Sequence, residues 1–223
     1  MTAEVGTGGR RAYRSPAREA SARETRRRIV TSATDLFLTQ GYASTSIRAV
    51  SIAAGVAEKT VYLQFANKTA LLRAVVETAI VGDDEEIPVA ERDWFQSVVA
   101  EHHLNQKLHR LVNGTSGLHE RTGDVFAMAR GAAAVDPEAA ALWAQGKQGH
   151  LADMTRLARS FDSDGLIPAG STFDWAVNTL YILLGPESWQ LARTELRLDP
   201  EGYREWLLNS LVRAFRQADT AQG

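Results

Sequence analysis

An all-α fold, with a small three-helix N-terminal domain ahead of a larger helical bundle, is predicted by three observations. Apolar residues recur at intervals of three and four along most of the chain, and no segment alternates as a half-buried strand would. Helix starts are written in Asp136-Pro137-Glu138 and Asp199-Pro200-Glu201, where an acidic cap, a proline in the first turn and an early acid coincide. Two apolar segments too short to persist alone meet at a glycine corner, Ala54-Gly55-Val56. A chain of 223 residues has room for the core such a fold needs.

Each element follows from local signals. Residues 1–20 are Gly-, Ala- and Arg-rich without periodicity and are expected to form a disordered basic arm. Ser21 and Glu24 have the spacing of a capping box, so helix one is expected to begin at Ser21, bury Ile29, Ala33, Leu36 and Phe37, and end at Gly41. Ser44, Thr45 and Ser46 offer a cap for a second helix with Ile47, Val50 and Ala54 on one face, stopped by Gly55. A third helix runs from about Ala57 to Phe65 with Val61 and Phe65 inward. Asn67 caps a fourth that carries Leu71, Leu72, Val75, Val76 and Ala79. The acidic turn Gly82-Asp83-Asp84-Glu85-Glu86 predicts a boundary between domains at 21–81 and 87–218. Beyond it, Trp94, Phe95, Val98 and Val99 mark one helix and Leu104, Leu108, Leu111 and Val112 another, while Gly165 with Pro168 and Gly185 with Pro186 are stops.

Composition excludes several functions. There is no cysteine, hence no disulfide framework, thiolate nucleophile or iron–sulfur site. Nucleotide-binding and hydrolase fingerprints are missing, so neither catalysis nor a cofactor is expected. His102, His103 and His109 lack the carboxylates or thiolates a metal site would add, and a plain amphipathic helix explains them better. No apolar run is long enough for a bilayer and the N-terminus has no signal-peptide stretch, which predicts no membrane partner and a cytoplasmic protein. The net charge of −2 hides a division: residues 1–80 hold twelve Arg and Lys against six Asp and Glu, and the remainder thirteen against twenty-one. Only the first third is suited to a polyanion.

The second and third helices across Gly55 form a helix-turn-helix, whose second helix is shaped for the major groove. Gly41-Tyr42-Ala43-Ser44-Thr45-Ser46-Ile47, then Ala54-Gly55-Val56, then Thr60-Val61-Tyr62-Leu63-Gln64-Phe65-Ala66-Asn67-Lys68 resemble the DNA-binding domain of the TetR family of transcriptional regulators. The chain departs from that pattern at Ala57, where the family often has Ser or Thr, at Gln64, often His, and at Thr69-Ala70, where an acid is common. With Val61 and Phe65 inward, Lys59, Thr60 and Leu63 lie on the opposite side. Lys59 suits guanine or phosphate, and Leu63 a thymine methyl. Glu58 reads better as a partner of the helix dipole. The resemblance implies backbone contacts from Tyr42, Thr45, Tyr62, Gln64 and Lys68, with Ser46 beside them. Arg10, Arg11 and Arg14 fit either a minor-groove arm or an unspecific tail.

In the C-terminal half two apolar stripes stand out. Phe173, Val177, Leu180, Tyr181 and Leu184 form one, and Trp206, Leu207 and Leu211 belong to the other. Together they predict a four-helix homodimer interface. The opposite face of the first, with Trp175 and Asn178, is expected to point into its own subunit and line an effector pocket with Phe126, Trp143, His150 and Met154. The function this implies is a repressor released from a palindromic operator in double-stranded DNA by a small molecule. A nucleoid-type protein that coats DNA without sequence preference is the alternative.

Overall fold

The computed structural model describes residues 16–82 and 88–216, with side chains from residue 20 onward. Among the described residues there are helices and turns and no strands. Helix α1 (Pro16–Gln40) begins five residues before the expected start. Pro16 in its first turn and the Ala-, Arg- and Glu-rich stretch behind it favour helix, so Ser21 lies inside it. The predicted capping box is not formed, and Glu24 instead accepts from Arg27 at 2.9 Å. Of the expected arm, residues 16–20 are helical and 1–15, with Arg10, Arg11 and Arg14, lie outside the described residues.

The next three elements follow the sequence closely. Helix α2 (Ile47–Ala53) is capped by Ser46, α3 (Glu58–Gln64) starts at Ala57 without a side-chain cap, and α4 (Lys68–Val81) is capped by Asn67 and closed by Gly82 at φ +66°. Ile29, Ala33 and Phe37 of α1 meet Val50, Val61, Phe65, Leu71, Leu72 and Val75 in a core with essentially no solvent exposure.

After a 3-10 turn at Val89–Glu91 come α5 (Asp93–Val99), α6 (Leu104–Ala133), α7 (Pro137–Ser163), α8 (Phe173–Leu183), α9 (Pro186–Thr194) and α10 (Pro200–Phe215). Both Asp-Pro-Glu signals start helices as expected: Asp136 accepts amide hydrogens at the head of α7, and Asp199 does so for α10. Gly185-Pro186 ends α8 and also starts α9, a helix the sequence did not announce. Helix α6 runs on from Val112, the last apolar residue the sequence assigns to it, to Ala133, and glycines along this stretch admit close neighbours. A methyl group on Gly114 would collide with the Trp94 ring, and one on Gly123 with Trp189. Its C-terminal Val125, Ala129 and Ala132 close the N-terminal core, so packing crosses the domain boundary expected at residues 82–86. A buried Lys107 on α6 donates to Asp164 at 2.6 Å and sits over Phe161.

The two C-terminal stripes are turned the other way from the expectation. Val177 and Leu180 of α8, Leu184 just past its end, and Leu207 and Leu211 of α10 fill the core of their own subunit with Phe161 and Phe215 and are not a surface on which a copy can dock. Phe173 is half-buried against the same core, and Tyr181 packs on His150 at 4.8 Å. Of the predicted interface set Trp206 reaches the surface, 37% exposed. Asn178, expected inward, is exposed beside Ile182 at 64%, and Trp175 lies on Phe215. Helix α8 is apolar on both faces, so periodicity locates two candidate faces without saying which the subunit itself covers.

Candidate functional site

The helix-turn-helix is held from below and left bare on top. Ser46 accepts from Ala49 N–H at 3.0 Å, which spends its hydroxyl oxygen on starting α2. Thr45 is buried, and its single hydroxyl proton is shared between Gly41 O at 2.9 Å and Leu36 O, at the end of α1, at 3.2 Å. It braces the turn and is not presented to a nucleic acid, contrary to the expectation. Gly55 takes φ +64° at the corner, where a side chain would be strained. Val61 and Phe65 anchor α3, with the Arg26 guanidinium 4.5 Å over the Phe65 ring. What remains outside is Glu58, Lys59, Tyr62 and Leu63, the last 75% exposed, with Thr60 and Gln64 half-buried at the flanks. Arg48 and Ile52 of α2, the latter 71% exposed, extend this face. Sequence reasoning passed over both, although the inward positions Ile47 and Val50 already put them outside. An exposed leucine, isoleucine and tyrosine interleaved with Lys59 and Arg48 form a surface with base-methyl and phosphate complementarity.

Tyr42 and Lys68 do something the resemblance does not imply. Tyr42 is buried and its hydroxyl donates to Asp136 Oδ2 at 2.8 Å; having one proton, it cannot donate to a phosphate in the same arrangement. Burial raises its pKa to about 12, with the Asp136 carboxylate adding to the effect. Lys68 Nζ lies 4.2 Å over the Tyr42 ring and donates to Ala43 O at 3.3 Å, and burial lowers its pKa. Asp136 accepts from Tyr42 while its other oxygen caps α7 through Glu138 N–H at 2.9 Å; the tyrosine bond holds its carboxyl below the usual range. Beside it, Asn67 caps α4 through Oδ1 and donates from Nδ2 to Glu138 at 2.8 Å. The caps of α4 and α7 are therefore joined by side chains.

Further along the same two helices lies a cavity of about 540 Å³, walled by α4, α5, α6 and α7. Phe126, Trp143, His150 and Met154 line it as expected, whereas Trp175 and Asn178 do not, because α8 turns them away. Trp94, His119 and Asp153 line it unannounced. Burial pushes the His119 pKa down to about 3, so the imidazole is neutral, and its Nδ1 lies 3.3 Å from the Tyr203 hydroxyl. Burial also lowers the pKa of His150, whose Nε2 is 3.2 Å from Tyr181 O. Lys147 donates to both oxygens of Glu187 at 2.7 and 2.8 Å. The mouth opens between α4 and α7, where Arg73 donates to Gln145 at 3.0 Å and Gly146 and Gly149 leave open space.

His102 pairs with Asp164 and His103 with Glu101, and among the described residues no three His, Cys, Asp or Glu converge. Among the described residues no helix is long and apolar enough to cross a membrane.

Comparison with known proteins agrees with this geometry. The family model described as bacterial regulatory proteins, tetR family, matches residues 29–75, the span from α1 into α4. The N-terminal domain is of the TetR family. No curated relative matches the sequence. Among solved structures, a putative TetR-family transcriptional regulator from Rhodococcus sp. superposes with a TM-score of 0.67 at 15% identity, over 86% of this chain and 99% of that one. The SmeT–triclosan complex gives 0.67 at 19%, over 88% and 93%. The regulator FadR from Bacillus subtilis, in complex with stearoyl-CoA, gives 0.66 at 17%, over 84% and 98%. At such identities the likeness extends the TetR-type fold, helix-turn-helix domain plus helical bundle, across the chain.

Proposed function

We propose that this chain is a ligand-responsive transcriptional repressor that binds a palindromic operator as a homodimer and leaves it when a small molecule fills the cavity. The observation that carries the reading is α3: a short helix fixed through Val61 and Phe65, with Lys59, Tyr62 and Leu63 outward and exposed among the described residues. Lys59 and Leu63 are assigned to base edges, and Tyr62, Thr60, Gln64 and Arg48 to the backbone. Lys68 contributes the field of its charge from beside Tyr42. Domain limits at residues 21–81 and 87–218 fit this division of labour, with the reservation that α6 serves both cores.

Self-association is assigned to the outer faces of α8 and α10, where Ile182 and Trp206 are exposed, because two reading helices must stand about 34–36 Å apart to reach successive grooves. For the switch, the cavity lies between α4 and α7 and the paired caps join these helices at their starts. A ligand that parts Arg73 from Gln145 shifts α4, and α4 carries α3 with it. Release extends only as far as the ligand prefers the shifted state. The neighbours in complex with triclosan and with stearoyl-CoA support a small-molecule effector with a large apolar part.

Selection of bound fragments from random duplex DNA tests the reading. A palindromic consensus bound at least about a thousandfold tighter than scrambled duplex is expected. Binding that follows charge alone, with no consensus, would instead mark a DNA-coating protein.

A further inference from the structure

The cavity has an electrostatic bias that narrows its ligand. Asp153, one turn along α7 from His150, faces the cavity half-buried, and among the described residues it has no hydrogen-bond or ion-pair partner. Arg156, one turn further on, is exposed and acts on it only through the field. Every cationic group in the interior is already answered or switched off. Lys147 is held by both oxygens of Glu187 with its ammonium over the Tyr181 ring, and His119 and His150 are neutral. Arg73 and Glu77 stand at the mouth, exposed to water and screened by it. The walls are aromatic: Phe126 meets Trp143 edge-on at 6.4 Å, and Trp94 meets Phe95 at 5.7 Å.

A half-buried carboxylate without a partner loses hydration and gains nothing in return, and burial accordingly pushes its pKa up. A positive charge on a ligand restores what is lost, and the faces of tryptophan and phenylalanine attract the same sign. A carboxylate or phosphate ligand would find no free interior cation and one repelling oxygen pair. We propose that the cavity takes a lipophilic monocation, an aromatic amine or phosphonium whose positive centre lies near Asp153 and whose rings lie among Trp94, Phe126 and Trp143. The inference rests on the regulator reading only for what such binding would do to DNA.

Tetraphenylphosphonium and tetraphenylborate share shape and differ in sign, and both fit the cavity's size class. Titration calorimetry of the full chain should find the phosphonium bound at least about tenfold more tightly than the borate. Asp153→Asn, which keeps the shape of the side chain, should remove most of that preference with an unchanged melting temperature. Equal binding of the two ions, tighter binding of the borate, or a preference untouched by Asp153→Asn would overturn the proposal. Should the variant fail to fold, the comparison in the unmodified chain still decides the sign. Selection of duplex DNA on the same preparation separates the two readings. Duplex bound without a cation preference sinks the ligand class alone, and a cation preference without sequence-specific duplex binding sinks the regulator alone.

Discussion

The α3 surface and the α4–α7 cavity are two candidate functional regions built by opposite means. The first is convex, comes from a stretch of about twenty residues, and needs from the rest of the molecule only support at Val61 and Phe65. The second is concave and gathers side chains from Leu72 to Pro186, with polar groups whose ionisation burial has altered. Charge on the convex surface acts through water and is tuned by salt; around the cavity Lys147 is fixed by Glu187, and burial raises the pKa of Asp153. Mutations in the two regions should fail differently.

The largest effect is expected inside. Asp164→Ala leaves the fully buried Lys107 without its carboxylate and should cost about 3 kcal/mol in urea unfolding, the lower end for a buried pair because Asp164 sits near the surface. DNA affinity of the folded fraction should be unchanged. A loss below about 1 kcal/mol would mean that Lys107 reaches water on its own. On the outer surface, Leu63→Glu should weaken operator binding by about a hundredfold without moving the melting temperature, since the side chain is 75% exposed. A fall in melting temperature with intact binding would mean that α3 had been docked the wrong way round.

A smaller effect separates the regions by pH. Free histidine takes up a proton near pH 6.5, whereas His119 resists it down to about 3. The unfolded chain therefore binds the proton first, and stability contributed at this site is complete above pH 6.5 and lost as pH falls toward 3, at about 1.4 kcal/mol per pH unit. His119→Gln should show a correspondingly shallower loss of urea midpoint between pH 6.5 and 4.5, and parallel curves would refute the burial argument. Smallest is the junction of the caps. Tyr42→Phe and Asp136→Asn should each dull the response of DNA affinity to ligand, and the double variant should do no more than either. Additive losses would show that the two groups act separately.

How much was legible in the sequence divides along the same line. Helices α2 to α4 and their caps were readable because Ser46, Gly55 and Asn67 act on neighbours within a turn. The outward set on α3 followed from Val61 and Phe65 alone. Tyr42 was misjudged because its partner, Asp136, is ninety-four residues away, and no local signal distinguishes a buried phenol from one awaiting a phosphate. The early start of α1 was missed because a capping-box spacing also occurs inside good helix formers. In the cavity, Trp143, His150 and Met154 on one face of α7 are readable, but His119 lies in a glycine- and polar-rich stretch of α6 where Trp94 and Trp189 fill the space a side chain on Gly114 or Gly123 would take. The inversion of α8 was unreadable in principle from periodicity, which ranks faces by apolarity and is silent on what covers them.

Helix α6, thirty residues and about 45 Å of continuous rod, has a last consequence. Because Val125, Ala129 and Ala132 belong to the core beneath the reading head, a chimaera that exchanges only residues 20–82 for another regulator's would set foreign side chains against them. Under the proposed function, retargeting this protein to a new DNA sequence by domain grafting therefore requires the transplant to bring along the far end of α6 and the first turn of α7, or else to confine itself to the outward positions of α3.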